Sequence, residues 1–447
     1  MQEQQPLKYP ASGYAWYTVA MLTVAYIFSF IDRYILGLLV EPIKADMALT
    51  DTEIGLLLGP AFALFYTTMG LPLGWLADRA RRTWIVAAGI AIWSIATAAC
   101  GMAKNFLQLF SARVAVGVGE ATLSPCALSM IADSFPPERR GKPVAFYSAA
   151  LSVGAAIASL TGASVLIWSK SIDMVSLPIL GNIAPWQLAF IVVGTPGIVI
   201  ALLMLTIREP VRTDRKSLSG STGSGFRDAL RHIADRRRTF GGFTAIVCVM
   251  TVVAYSQGWM PAMFARTWGW EPERYALVNG IILLILGPLS VNLAGWSSDK
   301  LYARGHHDAP LLIVIIGVCI LVPTGALIPL MPTAWAAIIV TAFNTTGIAI
   351  LSATAPTVLL NITPGEVRGQ IIAMYFIAIS ITGLLIGPTA IGLLNDYVFG
   401  ENGIRYSAAL VPLLIGLPVM ATIRATRREY LKELTAIDNR ASKADGY

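Results

Sequence analysis

The feature that most constrains this chain is a series of long apolar segments separated by short polar ones. Hydrophobic residues make up 55% of the 447 residues and charged residues only 13%, whereas soluble domains carry about 25% charge. A helix needs about 20 apolar residues to cross a bilayer. The sequence therefore predicts an all-α integral membrane protein with twelve spans: Tyr14–Val40, Thr52–Ala77, Thr83–Met102, Leu107–Ile131, Pro143–Trp168, Trp186–Ile207, Phe240–Phe264, Tyr275–Trp296, Pro310–Leu330, Ala334–Leu360, Gly369–Leu394 and Gly403–Arg424.

A polar stretch rich in Ser, Gly and Arg divides these spans into two sets of six. We predict an N-terminal six-helix bundle over residues 1–207, a cytoplasmic linker over 208–239, and a C-terminal six-helix bundle with a cytoplasmic tail over 240–447. Within the linker, an amphipathic helix lying on the membrane is expected around Phe226–Arg238.

The distribution of Lys and Arg predicts the orientation of the chain. With the N-terminus in the cytoplasm, 25 of the 33 basic residues fall in cytoplasmic segments and 6 on the opposite side, while Arg33 and Arg113 lie inside spans. This bias predicts that both termini are cytoplasmic. It also explains the net charge of +7 without a nucleic-acid partner, because the basic loops face anionic lipid. Short loops and small tails favour a bacterial inner membrane, and we expect a monomer.

Motifs of enzymes and metal sites are absent from the sequence. The four cysteines fall in separate apolar segments, and the three histidines lie in polar segments without metal-ligand spacing. Neither HExxH nor GxSxG occurs, and there is no ATP-binding loop. We therefore expect no enzymatic activity, no metal and no cofactor.

An internal repeat indicates that the two sets of six spans share one architecture. Gly74-Trp75-Leu76-Ala77-Asp78-Arg79-Ala80-Arg81-Arg82 follows span two, and Gly295-Trp296-Ser297-Ser298-Asp299-Lys300 follows span eight, an offset of 221 residues. Pro136-Pro137-Glu138-Arg139-Arg140-Gly141 follows span four, and Pro364-Gly365-Glu366-Val367-Arg368-Gly369 follows span ten, an offset of 228. Such repeats predict two parallel, pseudo-symmetric six-helix bundles.

With these loops and the six-plus-six layout, the sequence resembles the major facilitator superfamily over essentially its whole length. One departure is Arg81, where the family usually has Gly. Within the superfamily, Phe30-Ile31-Asp32-Arg33-Tyr34 and Arg113 to Ala121 resemble the Spinster-type branch, which is associated with sphingolipid and lysolipid transport. The resemblance implies a transporter in which spans one and four line a central cavity.

Charged residues inside two spans are the candidate functional site. Asp32 and Arg33 lie in span one, and Arg113 and Glu120 lie in span four, seven residues apart and nearly on one helix face. A charge in a bilayer costs several kcal/mol unless it is paired or hydrated, so such residues usually contact an ion or substrate. The alternatives are a structural ion pair between helices and, for Arg113, snorkelling to the interface.

We predict that Asp32 and Glu120 are proton acceptors. Desolvation raises the proton affinity of a carboxylate, and a neighbouring guanidinium lowers it. An acid that gains and loses an Arg partner during transport would therefore bind and release a proton. Arg33 would compete with the proton or hold an anionic headgroup.

The repeated cytoplasmic loops predict a gate of weak ion pairs that exist only when the inside is closed. Its candidate residues are Gly74, Asp78, Arg79, Arg82, Glu138, Arg140, Asp299, Lys300 and Arg368.

Aromatic and amide side chains in the spans expected to line the cavity are candidate substrate contacts: Tyr26, Phe30, Tyr34, Tyr255, Gln257, Trp259, Asn344, Tyr375 and Phe376. An apolar C-terminal half favours an amphiphilic substrate of sphingolipid or lysolipid type. The alternatives are a proton symporter of a small organic acid, with Arg33 or Arg113 clamping the carboxylate, and a multidrug efflux antiporter.

Overall fold

The computed structural model describes residues 9–136, 139–171, 175–177, 181–212, 224–363 and 367–444. These residues are almost entirely helical. The longer helices are α1 Ser12–Leu38, α2 Val40–Met47, α3 Asp51–Leu58, α4 Pro60–Arg79, α5 Arg82–Cys100, α6 Phe106–Glu120, α7 Leu123–Ser134, α8 Gly141–Lys170, α9 Pro185–Met204, α10 Ser224–Asp235, α11 Arg237–Ser256, α12 Met260–Trp268, α13 Pro272–Ala303, α14 Ala309–Leu327, α15 Ala334–Ile362, α16 Arg368–Leu394 and α17 Ile404–Ala444.

The twelve predicted spans are confirmed. Twelve stretches of the described chain are long and apolar enough to cross a bilayer, from Ser12–Leu38 to Glu401–Ala436. Their ends differ from the predicted ones by a few residues, because polar residues such as Arg237 begin a helix before the apolar run starts. The protein is therefore an all-α, multi-pass membrane protein.

Three spans are interrupted rather than continuous. Span two breaks at Gly59, between α3 and α4, where Pro60 supplies no backbone donor. Span four breaks between α6 and α7, directly after Glu120. Span seven contains a 3₁₀ turn, Gln257–Trp259, between α11 and α12. At each break, the side chains and backbone groups point in directions that differ from those in a continuous helix.

Some elements have no counterpart in the predicted spans. The short helix α2 lies between spans one and two, and Thr50 begins α3 with a capping box that includes Glu53. A two-stranded antiparallel hairpin pairs β1, Val175–Leu177, with β2, Gly181–Ile183. The last helix, α17, continues to Ala444, well past the predicted end of span twelve at Arg424.

The chain groups into two compact units. The first unit contains residues up to Ser219 together with Glu271–Ile281, and the second contains Gly220–Trp270 and the residues from Ile282 onward. Within the first unit, Ser159 contacts the segment Glu271–Ile281, because its hydroxyl donates to the Ala276 carbonyl at 2.7 Å. The predicted boundaries at residues 207 and 239 stay a prediction.

The predicted linker helix is present as α10, two residues earlier than expected at its start. Ala229 is fully buried and Ile233 packs against the core of the second unit, while Arg227 and Arg231 are exposed. This arrangement is the amphipathic pattern that the sequence predicts.

Candidate functional site

The centre of the first unit holds a buried ion pair between spans one and four. Arg33 on α1 donates from Nε to Glu120 Oε2 at 2.6 Å, and its Nη2 lies 2.5 Å from the same oxygen. The Glu120 side chain is 1% exposed and that of Arg33 is 18% exposed. A charge-assisted contact of this kind is strong because both groups are largely desolvated. The structure thus brings together two of the four predicted ion-coupling residues.

Asp32 and Arg113 lie beside this pair and are both 2% exposed. Arg113 donates from Nη1 to the backbone carbonyl of Asp32 at 3.2 Å. Within the described part of the chain, Asp32 Oδ1, Glu120 Oε1 and Arg113 Nε have no hydrogen-bond partner. Buried carboxylate oxygens without donors are costly, and a proton or a water molecule would satisfy them. Arg113 therefore lies inside the bundle rather than at the membrane interface.

Two glycines bring Glu120 to this position by allowing helices to approach closely. A Cβ at Gly117 would lie 2.5 Å from the Phe62 carbonyl oxygen of α4, and one at Gly119 would lie 2.7 Å from the Gly89 carbonyl oxygen of α5. Helix α6 then ends at Glu120, and the Thr122 hydroxyl bonds back to the Gly119 carbonyl at 2.8 Å. The sequence Gly-Val-Gly-Glu thus fixes the carboxylate between three spans.

Three aromatic rings contact Arg33, and two of them, Phe62 and Tyr66, are not among the predicted site residues. The Arg33 guanidinium carbon lies 4.6 Å from the ring centre of Phe62, 5.0 Å from Tyr66 and 5.5 Å from Phe30. Phe62 and Tyr66 stack on each other, with ring centres 5.1 Å apart. The four-residue spacing of these two rings on span two is the signal that could have indicated a shared face.

The predicted substrate residues of span one pack inside the first unit, mainly against helix α8 and one another. Tyr26 stacks on Tyr147 with ring centres 5.1 Å apart, and lies 5.2 Å from Phe30. Phe30 closely approaches Gly154 of α8, and Tyr34 is half-buried one residue after Arg33. Phe30 contacts the charged cluster, because the Arg33 guanidinium carbon lies 5.5 Å from its ring centre.

The predicted substrate residues of the second unit form a neutral polar network and an aromatic core. Asn344 is 1% exposed; it donates to the Leu321 carbonyl at 3.2 Å and to Thr324 Oγ1 at 3.0 Å. Gln257, in the break of span seven, donates to Asn344 Oδ1 at 3.0 Å. Beside them is a cavity of about 10 Å³, room for about one water molecule.

The aromatic members of that set are mostly packed. Trp259 is fully buried and donates from its indole to the Pro388 carbonyl at 2.9 Å. Tyr375 is 5% exposed and contacts Phe376, which is 48% exposed. Tyr255 packs against Gly383 of α16. Their role as substrate contacts stays a prediction.

Among the predicted gate residues, Arg82 is the most constrained. It is 1% exposed and donates to Asp133 at 2.5 Å, to Glu209 at 2.7 Å and to Ser129 at 2.6 Å, all within the first unit. Glu209 also accepts from the backbone of Thr83 at the start of α5. Arg82 thus joins α5, α7 and the start of the linker.

The other gate candidates have local contacts. Arg79 and Lys300 lie over the rings of Trp75 and Trp296, at 4.0 and 4.4 Å. Arg140 donates to the Phe135 carbonyl at 2.9 Å, while Asp299 is exposed and a Cβ at Gly74 would meet open space. Glu138 and the side chains of Asp78 and Arg368 lie outside the described residues. The gate itself stays a prediction.

The fold and this site define a class: a twelve-span membrane transporter with ionisable groups buried in one unit. Residues 22–388 match the family described as the Major Facilitator Superfamily. The chain belongs to the major facilitator superfamily. Family and fold indicate a transporter rather than an enzyme, and the described residues contain no group of three His, Cys, Asp or Glu side chains suited to a metal ion.

Known proteins similar to this chain have different described roles. It is 27% identical over 406 residues to an "MFS-type efflux pump" of Mycolicibacterium smegmatis, covering 90% of this chain and 89% of the other. It is 26% identical over 324 residues to "Protein spinster" of Drosophila melanogaster, covering 70% of this chain and 50% of that protein. It is 27% identical over 301 residues to a "Probable L-galactonate transporter" of Escherichia coli, covering 64% and 63%.

Solved structures show the same fold. A bacterial homolog of the human lysosomal transporter Spinster, in an inward-facing and unoccupied conformation, matches with a TM-score of 0.79 and 24% identity. The match covers 95% of this chain and 99% of the other. The predicted resemblance to the superfamily, and within it to Spinster-type proteins, is confirmed.

Proposed function

We propose that this protein is a proton-coupled secondary active transporter that moves an amphiphilic, sphingolipid- or lysolipid-like substrate by alternating access. The observation that carries the proposal is the buried Arg33–Glu120 ion pair, with Asp32 and Arg113 beside it. Intramembrane ionisable residues of this kind mark ion and proton pathways.

Glu120 is the group whose partner can be exchanged. A carboxylate that faces a guanidinium favours its charged form, and a carboxylate that loses this partner in an apolar site favours its protonated form. Uptake of a proton by Glu120 would therefore release Arg33, and departure of the proton would restore the pair. Arg33 and the proton thus compete for the Glu120 carboxylate.

Asp32 is the second proposed proton acceptor. Its carboxylate is buried and Oδ1 has no donor within the described residues, while Arg113 binds its backbone carbonyl. Because Arg113 donates to the backbone carbonyl of Asp32, its positive charge lies near the Asp32 carboxylate. This geometry supports different roles for the two acids. Glu120 exchanges Arg33 for a proton, whereas the proton affinity of Asp32 depends on the net charge of the surrounding groups.

The similarity to Spinster proteins supports an amphiphilic substrate, as does the largely apolar interior of the second unit. A small organic acid is the second candidate, because galactonate transporters are among the similar proteins and two guanidinium groups are present to bind a carboxylate. Efflux of drugs is the third, supported by the similar efflux pump. The proposal also includes a monomer in a bacterial inner membrane with both termini in the cytoplasm.

Reconstituted vesicles with an imposed proton gradient test the proposal. A fluorescent lysophospholipid, radiolabelled galactonate and ethidium represent the three substrate classes. We expect gradient-dependent movement of the lysophospholipid, and its loss in Glu120→Gln and Asp32→Asn. Movement of galactonate or ethidium instead would select the corresponding alternative, and wild-type pH dependence in both variants would reject proton coupling at these residues.

A further inference from the structure

Two rings on span two face the guanidinium of the ion pair. Phe62 and Tyr66 lie four residues apart on α4, stack at 5.1 Å with an interplanar angle of 22°, and present one continuous aromatic face. The Arg33 guanidinium carbon lies 4.6 Å from the first ring centre and 5.0 Å from the second. Both distances are within the range in which a ring attracts a cation.

The helix with these rings is in backbone contact with the helix that ends at Glu120. Gly117 of α6 lies against the Phe62 carbonyl, so closely that a Cβ there would be 2.5 Å from that oxygen. Phe62 itself is 2% exposed. Ring, guanidinium and carboxylate are therefore held by adjoining turns of α4, α1 and α6 within one unit.

We propose that Phe62 and Tyr66 are positioning residues that hold Arg33 against the ionised Glu120 carboxylate and so strengthen its competition with the proton, an inference that rests on the proposed proton coupling. A ring face stabilises a cation without accepting its N–H groups in strong hydrogen bonds. The donors of Arg33 therefore remain available to a carboxylate.

Besides Tyr66 on α4, ionisable groups on three helices lie near Arg33. Glu120 and Arg113 lie on α6, Asp32 on α1, and Tyr147 on α8. The Arg113 guanidinium carbon lies 5.8 Å from the Phe62 ring centre, farther than that of Arg33. Phe62 thus faces both guanidinium groups, whereas for Tyr66 the described contact is with Arg33.

Chemical labelling of the full-length protein in detergent tests the positions of both groups. Phenylglyoxal modifies arginine, and mass spectrometry measures its rate at Arg33, whose side chain is 18% exposed. We expect Phe62→Leu and Tyr66→Leu to speed this modification by about 2- to 5-fold each, which corresponds to the loss of one cation–π contact. Tyr66→Phe keeps the ring and should behave as the wild type.

Phe190→Leu is the matched control, because Phe190 is a fully buried phenylalanine of the same unit that packs against Trp186. It should leave the Arg33 rate unchanged. Equal rates in Phe62→Leu, Tyr66→Leu and the wild type would overturn the proposal, as would an equal acceleration in Phe190→Leu.

Labelling of Glu120 with dicyclohexylcarbodiimide, which requires a protonated carboxyl, separates this proposal from the proposed function. The pH midpoint of labelling should move by roughly half a unit toward alkaline pH in Phe62→Leu, because Arg33 then competes less well with the proton. Faster Arg33 modification with pH-independent Glu120 labelling in the wild type would retain the aromatic contact and reject the coupling.

Discussion

The interiors of the two units differ in the kind of polar group that they bury. Of the charged residues buried in the described chain, six lie in the first unit: Asp32, Asp51, Arg82, Arg113, Glu120 and Asp133. One, Asp308, lies in the second, where it pairs with Arg427 next to the start of α14. The centre of the second unit has instead the neutral network of Gln257, Asn344 and Thr324.

Under the proposed function, this difference gives the two units separate tasks. A neutral network keeps its hydrogen bonds at any physiological pH, whereas an ion pair between a carboxylate and a guanidinium is sensitive to proton uptake. The first unit is thus suited to respond to protons, and the second to present a constant surface. Substitutions in each unit can test this contrast.

The largest effect is expected where a buried charge loses its partner. Arg33→Ala removes the guanidinium that binds the buried Glu120 carboxylate and should lower the free energy of unfolding by about 3–5 kcal/mol. Adding Glu120→Gln should recover most of this loss, because the uncompensated carboxylate is removed. Denaturant unfolding of the single and double variants in detergent measures the coupling. Lys170→Ala, which removes the partly exposed ion pairs with Glu271 and Glu273, is the control and should cost clearly less than Arg33→Ala.

A smaller effect is expected from separating the helices that form the site. Gly117→Ala places a methyl group against the Phe62 carbonyl and should cost about 1–3 kcal/mol while reducing transport. Gly70→Ala is the control. Gly70 lies on α4, as does Phe62, and an added Cβ there meets open space, so stability should be unchanged. Equal stability of the two variants would contradict the role of close packing at Gly117.

The neutral network should affect stability but not pH dependence. Asn344→Ala removes hydrogen bonds to Leu321, Thr324 and Gln257 and should cost about 1–3 kcal/mol. The pH midpoint of transport in vesicles should remain that of the wild type. A shifted midpoint would show that the second unit also contributes to coupling, and the comparison would fail.

The smallest effect concerns the edge of the second unit. Burial, and then the Arg236 charge, hold the pKa of the His232 ring on α10 below its usual 6.5. The unfolded segment therefore binds a proton at His232 more readily than the folded one, so that the docking of α10 weakens as pH falls below about 6.5. Hydrogen exchange of residues 224–235 measures this effect. His232→Phe should abolish the pH dependence, and its persistence in that variant would assign it to another group.

The spans and the charged residues could be predicted from sequence because both are strong signals. A stretch of twenty apolar residues is long enough to cross a bilayer and rare in soluble chains, and Asp32, Arg33, Arg113 and Glu120 interrupt such stretches. The pairing of Arg33 with Glu120 could not be predicted in the same way. Asp32 and Arg33 are adjacent in sequence but point in different directions on a helix, and Arg33 contacts Glu120, 87 residues away.

The aromatic contact and the helix breaks could not be predicted for a different reason. Phe62 and Tyr66 are two of many aromatic residues in apolar segments, where packing is the common role. Trp259, for example, is fully buried and donates to the Pro388 carbonyl, while its role as a substrate contact stays a prediction. The break after Glu120 lies next to the close contacts of Gly117 and Gly119 with other helices, and such contacts are set by tertiary packing.

The central claim is that Glu120 exchanges Arg33 for a proton within the first unit. Infrared spectroscopy of the purified protein tests this most directly, because a protonated buried carboxyl has a separate carbonyl band whose intensity can be followed with pH. We expect a band that titrates in the wild type and loses a component in Glu120→Gln, with Asn344→Ala unchanged. An identical titration in the wild type and Glu120→Gln would contradict it.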